Sequence, residues 1–425
     1  MDDLTPPNNQ GPDPLGRRPR IAAFHLMAKP GGATCNIDCD YCFFLSKERL
    51  YPDSRTRMSE ATLESYIRQL LETHPNGEVN IAWQGGEPTL LGLDFFARAI
   101  DLAMRFKRPG QVISHSIQTN GLLLDDQWCA FLMKNGILVG LSLDGPRAFH
   151  DFYRKDKRGR GTFDLVAKAV RNLRRHGVDF NILCTVNAAN QDHGRTIYRY
   201  FRDTIKAEWI QFIPIVERSS PEGLDFANAG WPDKQGKRSR PLYTQSGDRA
   251  GIRSVDGKAY GKFLIAVYDE WIANDVSRVH VQMFEAMLAA FFGHYLTCTH
   301  APACGRNPAL EHNGDLYCCD HYVEPGYRLG NINMTPLHTL LTDPRLAAFG
   351  NDKFDTLTAQ CLKCEVRAFC NGGCPKGRFA KTHDGQDGHN YLCEGLHAFY
   401  SHALPSMRVI ASLVASGRPA TAVTE

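Results

Sequence analysis

No stretch of the 425 residues approaches the roughly 20 consecutive apolar positions of a membrane-spanning helix. The opening segment, MDDLTPPNNQGPDPLGRRPR, lacks the apolar core of a secretory signal. A cytoplasmic location with no membrane partner is therefore expected. Charge of one sign is also missing. The 49 basic and 46 acidic side chains leave a net +3, and the basic run KDKRGRG at 155–161 is short enough for a solvated loop. That balance argues against a polyanion, and so against nucleic acid, as the main partner. Neither a low-complexity tract nor a repeat of fixed period occurs. With 43% hydrophobic and 22% charged residues, the composition is that of a globular protein. The length allows two or three units at roughly 100–200 residues each.

Cysteine, by contrast, is abundant. Fourteen thiols without an export signal argue against a disulfide framework and for metal binding. They are clustered. Cys35, Cys39 and Cys42 form one group, and Cys298, Cys304, Cys318 and Cys319 a second. Cys361, Cys364, Cys370, Cys374 and Cys393 form a third. Cys129 and Cys184 stand alone in apolar surroundings and read as small buried hydrophobes.

Residues 1–19, rich in Pro, Asn, Gly and Asp, read as a disordered tail. From 20 to 216, strand and helix patterns alternate. Strands are expected at 20–27, 79–83, 112–117, 138–143, 180–186 and 209–213. Helices are expected near 58–74, 93–107, 125–135, 163–176 and 191–206, with Ser59 and Asp125 as caps. This alternation predicts an α/β fold: a parallel sheet of six βα units, a partial barrel rather than a complete eight-unit one. A polar stretch at 217–257 reads as a surface insertion. A helical linker at 258–297 precedes a cysteine-rich domain at 298–395. A C-terminal helix and tail occupy 396–425.

Cys35-x3-Cys39-x2-Cys42 falls after the first strand. Three thiolates can hold three irons of a [4Fe–4S] cube and leave one iron open to a ligand. A zinc site is the alternative, but it wants a fourth ligand and none is evident nearby. Gly85-Gly86-Glu87-Pro88 follows the second strand, where glycines admit close approach of a ligand and a strand-end carboxylate can accept from an ammonium. Gln118-Thr119-Asn120-Gly121, Ser142-Leu143-Asp144-Gly145, Thr185-Val186-Asn187 and Pro214-Ile215 end the next four strands. Special residues at all six C-terminal strand ends mark the ligand-binding rim of a parallel fold. Farther on, Cys298-x5-Cys304-x14-Cys319, Cys361-x2-Cys364-x5-Cys370-x3-Cys374 and Cys393 supply eight thiolates, enough for two four-cysteine sites holding either zinc or iron–sulfur clusters.

The first motif, with Tyr41 before its last cysteine, resembles the radical S-adenosylmethionine (radical SAM) superfamily. That resemblance implies SAM chelated to the open iron and cleaved to a 5′-deoxyadenosyl radical. The later cysteines resemble the SPASM extension, which carries two auxiliary [4Fe–4S] clusters. By that resemblance Cys298, Cys304, Cys319 and Cys374 hold one cluster, and Cys361, Cys364, Cys370 and Cys393 the other, with Cys318 spare. The segments AKPGGATCNIDCDYCFF, AWQGGEPTLLGLDFF, LSLDGPRAFHDFYRKDKRGRGTFD and YCCDHYVEPGYRLGNI resemble anaerobic sulfatase-maturating enzymes over roughly residues 20–400. Such enzymes oxidise a Cys or Ser of a sulfatase to Cα-formylglycine after hydrogen abstraction from Cβ. The resemblance places Tyr41, Gly86, Ser142 and Arg154 at SAM contacts and Ile215, where a relative has Leu, at an adenosine contact. Gln84 is a further candidate contact, and Asp320 falls on the general base. It also implies three [4Fe–4S] clusters, a sulfatase polypeptide with a Cys/Ser-x-Pro-x-Arg motif, and a small electron donor such as flavodoxin or ferredoxin.

Two other readings compete. One is a SPASM enzyme that makes thioether or carbon–carbon crosslinks on a peptide precursor; the expectation of only a tail, and no leader-binding domain, at the N-terminus weighs against it. The other is a non-enzymatic iron–sulfur carrier, which an open-iron site on a barrel rim disfavours.

Overall fold

The computed structural model describes residues 23–52, 56–74, 76–224 and 242–424. The expected tail at 1–19 lies outside them, as do residues 225–241 of the expected insertion. Six parallel strands carry the first half: β1 (Met27–Lys29), β2 (Gly77–Trp83), β3 (Gln111–Thr119), β4 (Ile137–Ser142), β5 (Phe180–Val186) and β6 (Trp209–Pro214). Helices α1 (Glu60–Thr73), α2 (Leu93–Phe106), α3 (Asp126–Lys134), α4 (Arg147–Tyr153), α5 (Phe163–His176) and α6 (Gly194–Arg199) alternate with them. Local chemistry sets several boundaries. The Ser59 hydroxyl accepts from the Thr62 amide at 3.1 Å, and the Asp125 carboxylate accepts from the Trp128 amide at 2.9 Å. Each side chain satisfies an amide that has no partner within its helix. Trp83 lies buried between β2 and α2, edge-on to Phe95 and Phe96.

Two elements differ from the sequence reading. The first strand was expected at 20–27 and is found at Met27–Lys29. Its pairing with β2 begins at Met27, opposite Ala82; residues 23–26 have no ladder partner on that side, and 20–22 lie outside the described residues. The helix expected at 191–206 closes at Arg199 and continues as a wider π turn, Tyr200–Ile205, ended by Lys206 at φ 55°.

The second half adds to the same sheet. A small ribbon pairs β7 (Arg218–Ser219) with β8 (Arg249–Ala250). Helix α7 (Gly257–Asn274) leads to β9 (His280–Val281), which extends the sheet beside β6, and then to α8 (Gln282–Phe291). Strands β10 (Ala309–Glu311), β11 (Asp315–Tyr317) and β12 (Arg328–Asn331) extend the opposite edge, β10 lying parallel to β1. The sheet therefore has ten strands in the order β12-β11-β10-β1-β2-β3-β4-β5-β6-β9. Helices α9 (Leu337–Leu341) and α10 (Pro344–Asp355), the single turns α11 (Ala359–Leu362) and α12 (Arg367–Cys370), and the long α13 (Cys393–Ala415) complete the chain. Helices α7 and α13 cross at glycine: a Cβ on Gly261 would stand 2.5 Å from the Gly395 Cα. Among the described residues no helix is long and apolar enough to cross a membrane.

Candidate active site

The loop after β1 holds the first three thiols. It is pinned to the segment after α4 by Asp38 N–H to the Lys155 carbonyl at 2.9 Å and Asp40 N–H to the Tyr153 carbonyl at 3.0 Å. Beneath it lies Asp144, wholly buried after β4. Its carboxylate accepts from the Tyr41 hydroxyl at 2.5 Å, the Arg154 guanidinium at 2.8 Å and the Thr185 amide at 2.9 Å. Burial pushes the Asp144 carboxyl up, but Arg154, His150 and the hydrogen bonds from Arg154 and Tyr41 together hold the group below the usual carboxylate range. Asp144 thus fixes both Tyr41 and Arg154. Ile215, like Cys35 and Cys42, packs against the cluster of Ile37, Cys39 and Tyr41.

The thiols converge. Cys42 acts electrostatically on both Cys35 and Cys39, and Cys35 on Cys39. Burial pushes the Cys35 thiol up to about 12. Asn120 Nδ2 lies 3.7 Å from Cys35 Sγ, and Arg154 Nη1 lies 4.0 Å from Cys39 Sγ. Burial raises Cys35 and Cys39 above the usual thiol range, so these two with Cys42 suit a thiophilic metal, which deprotonates its ligands. No fourth Cys or His accompanies them among these contacts, which favours a cluster with one open iron over four-coordinate zinc.

Gly86 is required by close approach: a Cβ there would stand 2.1 Å from the Thr34 carbonyl oxygen. Its amide donates to the Gly32 carbonyl at 2.8 Å, so β2 and the cysteine loop meet backbone to backbone. Glu87 departs from expectation. Its carboxylate is already filled by Thr89 N–H (3.1 Å) and hydroxyl (2.6 Å), Thr119 hydroxyl (2.7 Å) and Asn120 N–H (2.8 Å). It clamps the ends of β2 and β3 instead of offering a free acceptor. Gln84 donates to Gln118 Oε1 at 2.7 Å while its own buried Oε1 has no partner among the described residues. Ser142 is buried at the end of β4.

Asp320 reaches Lys29 of β1 from the second half of the chain. Its carboxylate forms an ion pair with Lys29 Nζ, whose side chain is 2% exposed at the end of β1. The ammonium also stands 3.6 Å from the Phe44 ring centroid. Burial pushes the Asp320 carboxyl up, but Lys29, with Lys376 behind it, holds it below the usual range. The group is ionised at neutral pH and can accept a proton there. Lys29 was missed by motif reading. Its signal was a lysine at a strand end on the ligand rim.

The remaining thiols separate into two sets. Cys374 and Cys298 act on both Cys304 and Cys319, and Cys374 acts on Cys298. Cys361 and Cys364 act on both Cys370 and Cys393, and Cys361 on Cys364. Cys318 joins neither set and is buried in the main core, as are Cys129 and Cys184. Burial pushes Cys304 and Cys393 up to about 12. Each set is the donor complement of a thiolate-bound metal or cluster. A cavity of about 120 Å³ opens beside the first set, lined by Pro214, Tyr260, Thr297, His300, His321 and Cys374 among others. The Tyr260 hydroxyl, Thr297 Oγ1 and the Nδ1 atoms of His300 and His321 are buried without partners among the described residues. Such groups need a polar ligand or water.

Comparison with known proteins gives a consistent picture. The family model described as the radical SAM superfamily matches residues 30–199, and SPASM, described as an iron–sulfur cluster-binding domain, matches residues 303–365. The chain is 38% identical over 393 residues to a protein of Bacteroides thetaiotaomicron named serine-type anaerobic sulfatase-maturating enzyme, covering 92% of this chain and 91% of that one. It is 32% identical over 391 residues to one from Clostridium perfringens named cysteine-type anaerobic sulfatase-maturating enzyme, covering 91% and 98%. The solved structure of native anSMEcpe with bound AdoMet and Kp18Cys peptide matches with a TM-score of 0.77 at 30% identity, over 92% of this chain and 99% of that one.

Proposed function

The chain belongs to the anaerobic sulfatase-maturating enzymes, a radical SAM family with a SPASM extension, and we propose that it oxidises one Cys or Ser side chain of a sulfatase polypeptide to Cα-formylglycine. The observation that carries this reading is the position of Asp320. An ionised, half-buried carboxylate pairs with Lys29 of β1 and stands one residue from a thiol of a four-cysteine set.

When bound, a cluster held by Cys35, Cys39 and Cys42 together with SAM supplies hydrogen-atom abstraction, and clusters on Cys298, Cys304, Cys319, Cys374 and on Cys361, Cys364, Cys370, Cys393 supply electron acceptance. Gly86 brings backbone close to the cysteine loop, where SAM's amino acid part is held. Tyr41 and Arg154, fixed by Asp144, and Ser142 orient SAM, and Ile215 gives the adenosine an apolar face. Gln84, whose carbonyl oxygen is unsatisfied, is a further candidate contact at this site. Taking a CH–OH or CH–SH group to a carbonyl or thiocarbonyl removes one hydrogen atom, one proton and one electron; water then hydrolyses the thiocarbonyl to the aldehyde and releases hydrogen sulfide. Asp320 accepts the proton. Lys29 keeps that carboxylate charged and directed. The unpartnered groups around the Tyr260 and His300 cavity offer contacts for peptide backbone.

The test is anaerobic incubation with SAM, a reductant and peptides carrying Cys-x-Pro-x-Arg or Ser-x-Pro-x-Arg, read by mass spectrometry. Formylglycine is expected. SAM cleavage with a crosslinked peptide, and no aldehyde, would establish the crosslinking reading instead. A flavodoxin or ferredoxin is the proposed physiological donor, and its replacement of the chemical reductant is the corresponding test.

A further inference from the structure

Two buried cations in the second half of the chain have no carboxylate partner. Lys353, on α10, is fully buried, and its ammonium donates to the carbonyl oxygens of Cys298 at 2.6 Å and Thr299 at 2.8 Å. Arg378 is 9% exposed. Its guanidinium donates to the carbonyls of Lys353 (2.6 Å), Asn371 (2.9 Å) and Gly372 (3.1 Å) and to the Thr356 hydroxyl at 3.3 Å. Among the described residues neither forms an ion pair with Asp or Glu. A buried charge without a counter-charge is costly, so an anion nearby stabilises both.

The anions within reach are thiolates. Burial pulls Lys353 below the usual lysine range, while Cys304, Cys374 and Cys298 push it up. Arg378 is likewise pulled down by burial and pushed up by Cys361, Cys304, Cys374 and Cys370, which belong to both four-cysteine sets. Its backbone contacts, Asn371 and Gly372, lie between Cys370 of one set and Cys374 of the other. A metal deprotonates the thiols that bind it, so the loaded sites supply that charge.

We propose that Lys353 and Arg378 are the counter-cations of the two four-cysteine sites, and that their charge raises the electron affinity of the groups held there. Lys353 serves the site next to Asp320, and Arg378 stands between the two. This rests on the reading that both sites hold iron–sulfur clusters, whose potentials follow net charge, hydrogen bonding and exposure. A fixed cation stabilises the more negative, reduced form. It therefore makes the site near Asp320 a better acceptor for the electron the oxidation releases.

The test is an EPR-monitored redox titration of the reconstituted full-length protein, with iron analysis of the same samples. Lys353→Gln keeps a donor for the two carbonyls and drops the charge. Arg378→Gln drops the charge, and Arg378→Lys keeps it while losing the planar fork. In both Gln variants the auxiliary signals are expected to need a lower potential. The reduced-to-oxidised ratio at the wild-type midpoint falls about tenfold, equivalent to ~59 mV for one electron. Arg378→Lys stays near wild type. Unshifted midpoints in fully loaded Gln variants, or an equal shift in Arg378→Lys, overturn the proposal and leave the cluster reading standing. If the Gln variants lose auxiliary iron, retention by Arg378→Lys supports the charge role and loss by all three overturns it. Wild-type protein without auxiliary iron overturns the cluster reading and the proposal together.

Discussion

Asp320→Asn separates proton transfer from hydrogen abstraction, and the structure sets its side effect. The amide is nearly isosteric but does not accept a proton at neutral pH. It also leaves the Lys29 ammonium, 2% exposed, without its counter-charge. Removing one partner of a buried pair costs roughly 3–5 kcal/mol. The amide oxygen still accepts a hydrogen bond from the ammonium, which retains about 1.5–3 kcal/mol. The net destabilisation expected is about 1–3 kcal/mol. Independently, loss of a positioned base should lower formylglycine formation by a factor on the order of 10² or more. SAM cleavage should continue, because the cysteine loop of Cys35, Cys39 and Cys42 keeps its contacts with Asp144 and Arg154. A Ser peptide should suffer more than a Cys peptide, since a hydroxyl gives up its proton less readily than a thiol. The assay quantifies 5′-deoxyadenosine and formylglycine in parallel, with iron content and protease resistance as controls. The double variant Lys29→Met with Asp320→Asn removes the orphaned charge. It should regain protease resistance and remain unable to form formylglycine. Recovery of formylglycine in the double variant would refute the base assignment and leave Asp320 as nothing more than a counter-ion for Lys29.

Replacing Cys35, Cys39 and Cys42 together by Ala should abolish SAM cleavage and lower iron from about 12 to about 8 per chain; full SAM cleavage would defeat the assignment. Cys319→Ala should cost about 4 irons while Cys318→Ala costs none, because Cys318 is buried in the core and apart from both thiol sets. Gly86→Ala should keep its iron yet cleave SAM slower by a factor on the order of 10², since the new Cβ would meet the Thr34 carbonyl at 2.1 Å and force the loop from β2. Wild-type rates from Gly86→Ala would show that this approach has no part in binding SAM.

Much of the barrel was legible because its signals are local. The Ser59 and Asp125 caps act within one turn, and the runs at β2 to β6 carry their own pattern. Strand β1 was displaced because pairing, not composition, selected Met27–Lys29. The role of Glu87 was hidden for a related reason. A strand-end carboxylate looks free until the neighbouring strand delivers Thr119 and Asn120. The cysteine spacings allowed eight ligands but not their partition, because Cys374 meets Cys298 across 75 intervening residues and leaves its neighbour Cys370 to the other set. Chain reversals of that kind are set by tertiary packing alone.

The Lys29–Asp320 pair spans 291 positions, and sheet topology brings it about. Strand β10 pairs in parallel with β1, with Glu311 in register with Lys29, so the C-terminal ends of both strands reach the same rim. The chain then runs back antiparallel through β11, with Tyr317 opposite Ala309 and so level with Met27; Cys318, Cys319 and Asp320 follow from that level, and the buried Lys29 side chain of β1 pairs with Asp320. The backbone at Cys319 is extended, at φ −159° and ψ 152°. Successive side chains of an extended chain face opposite ways. Cys318 therefore enters the core while Cys319 joins Cys298, Cys304 and Cys374. A tight helical turn begins at Asp320 and swings its carboxylate in a third direction, to Lys29. Neighbouring residues thus serve different partners: the thiol a four-cysteine set that suits an electron acceptor, the carboxylate the Lys29 ammonium of β1. In the proposed reaction the proton and the second electron leave the same substrate atom group. One extended residue followed by one tight turn is enough to part their routes.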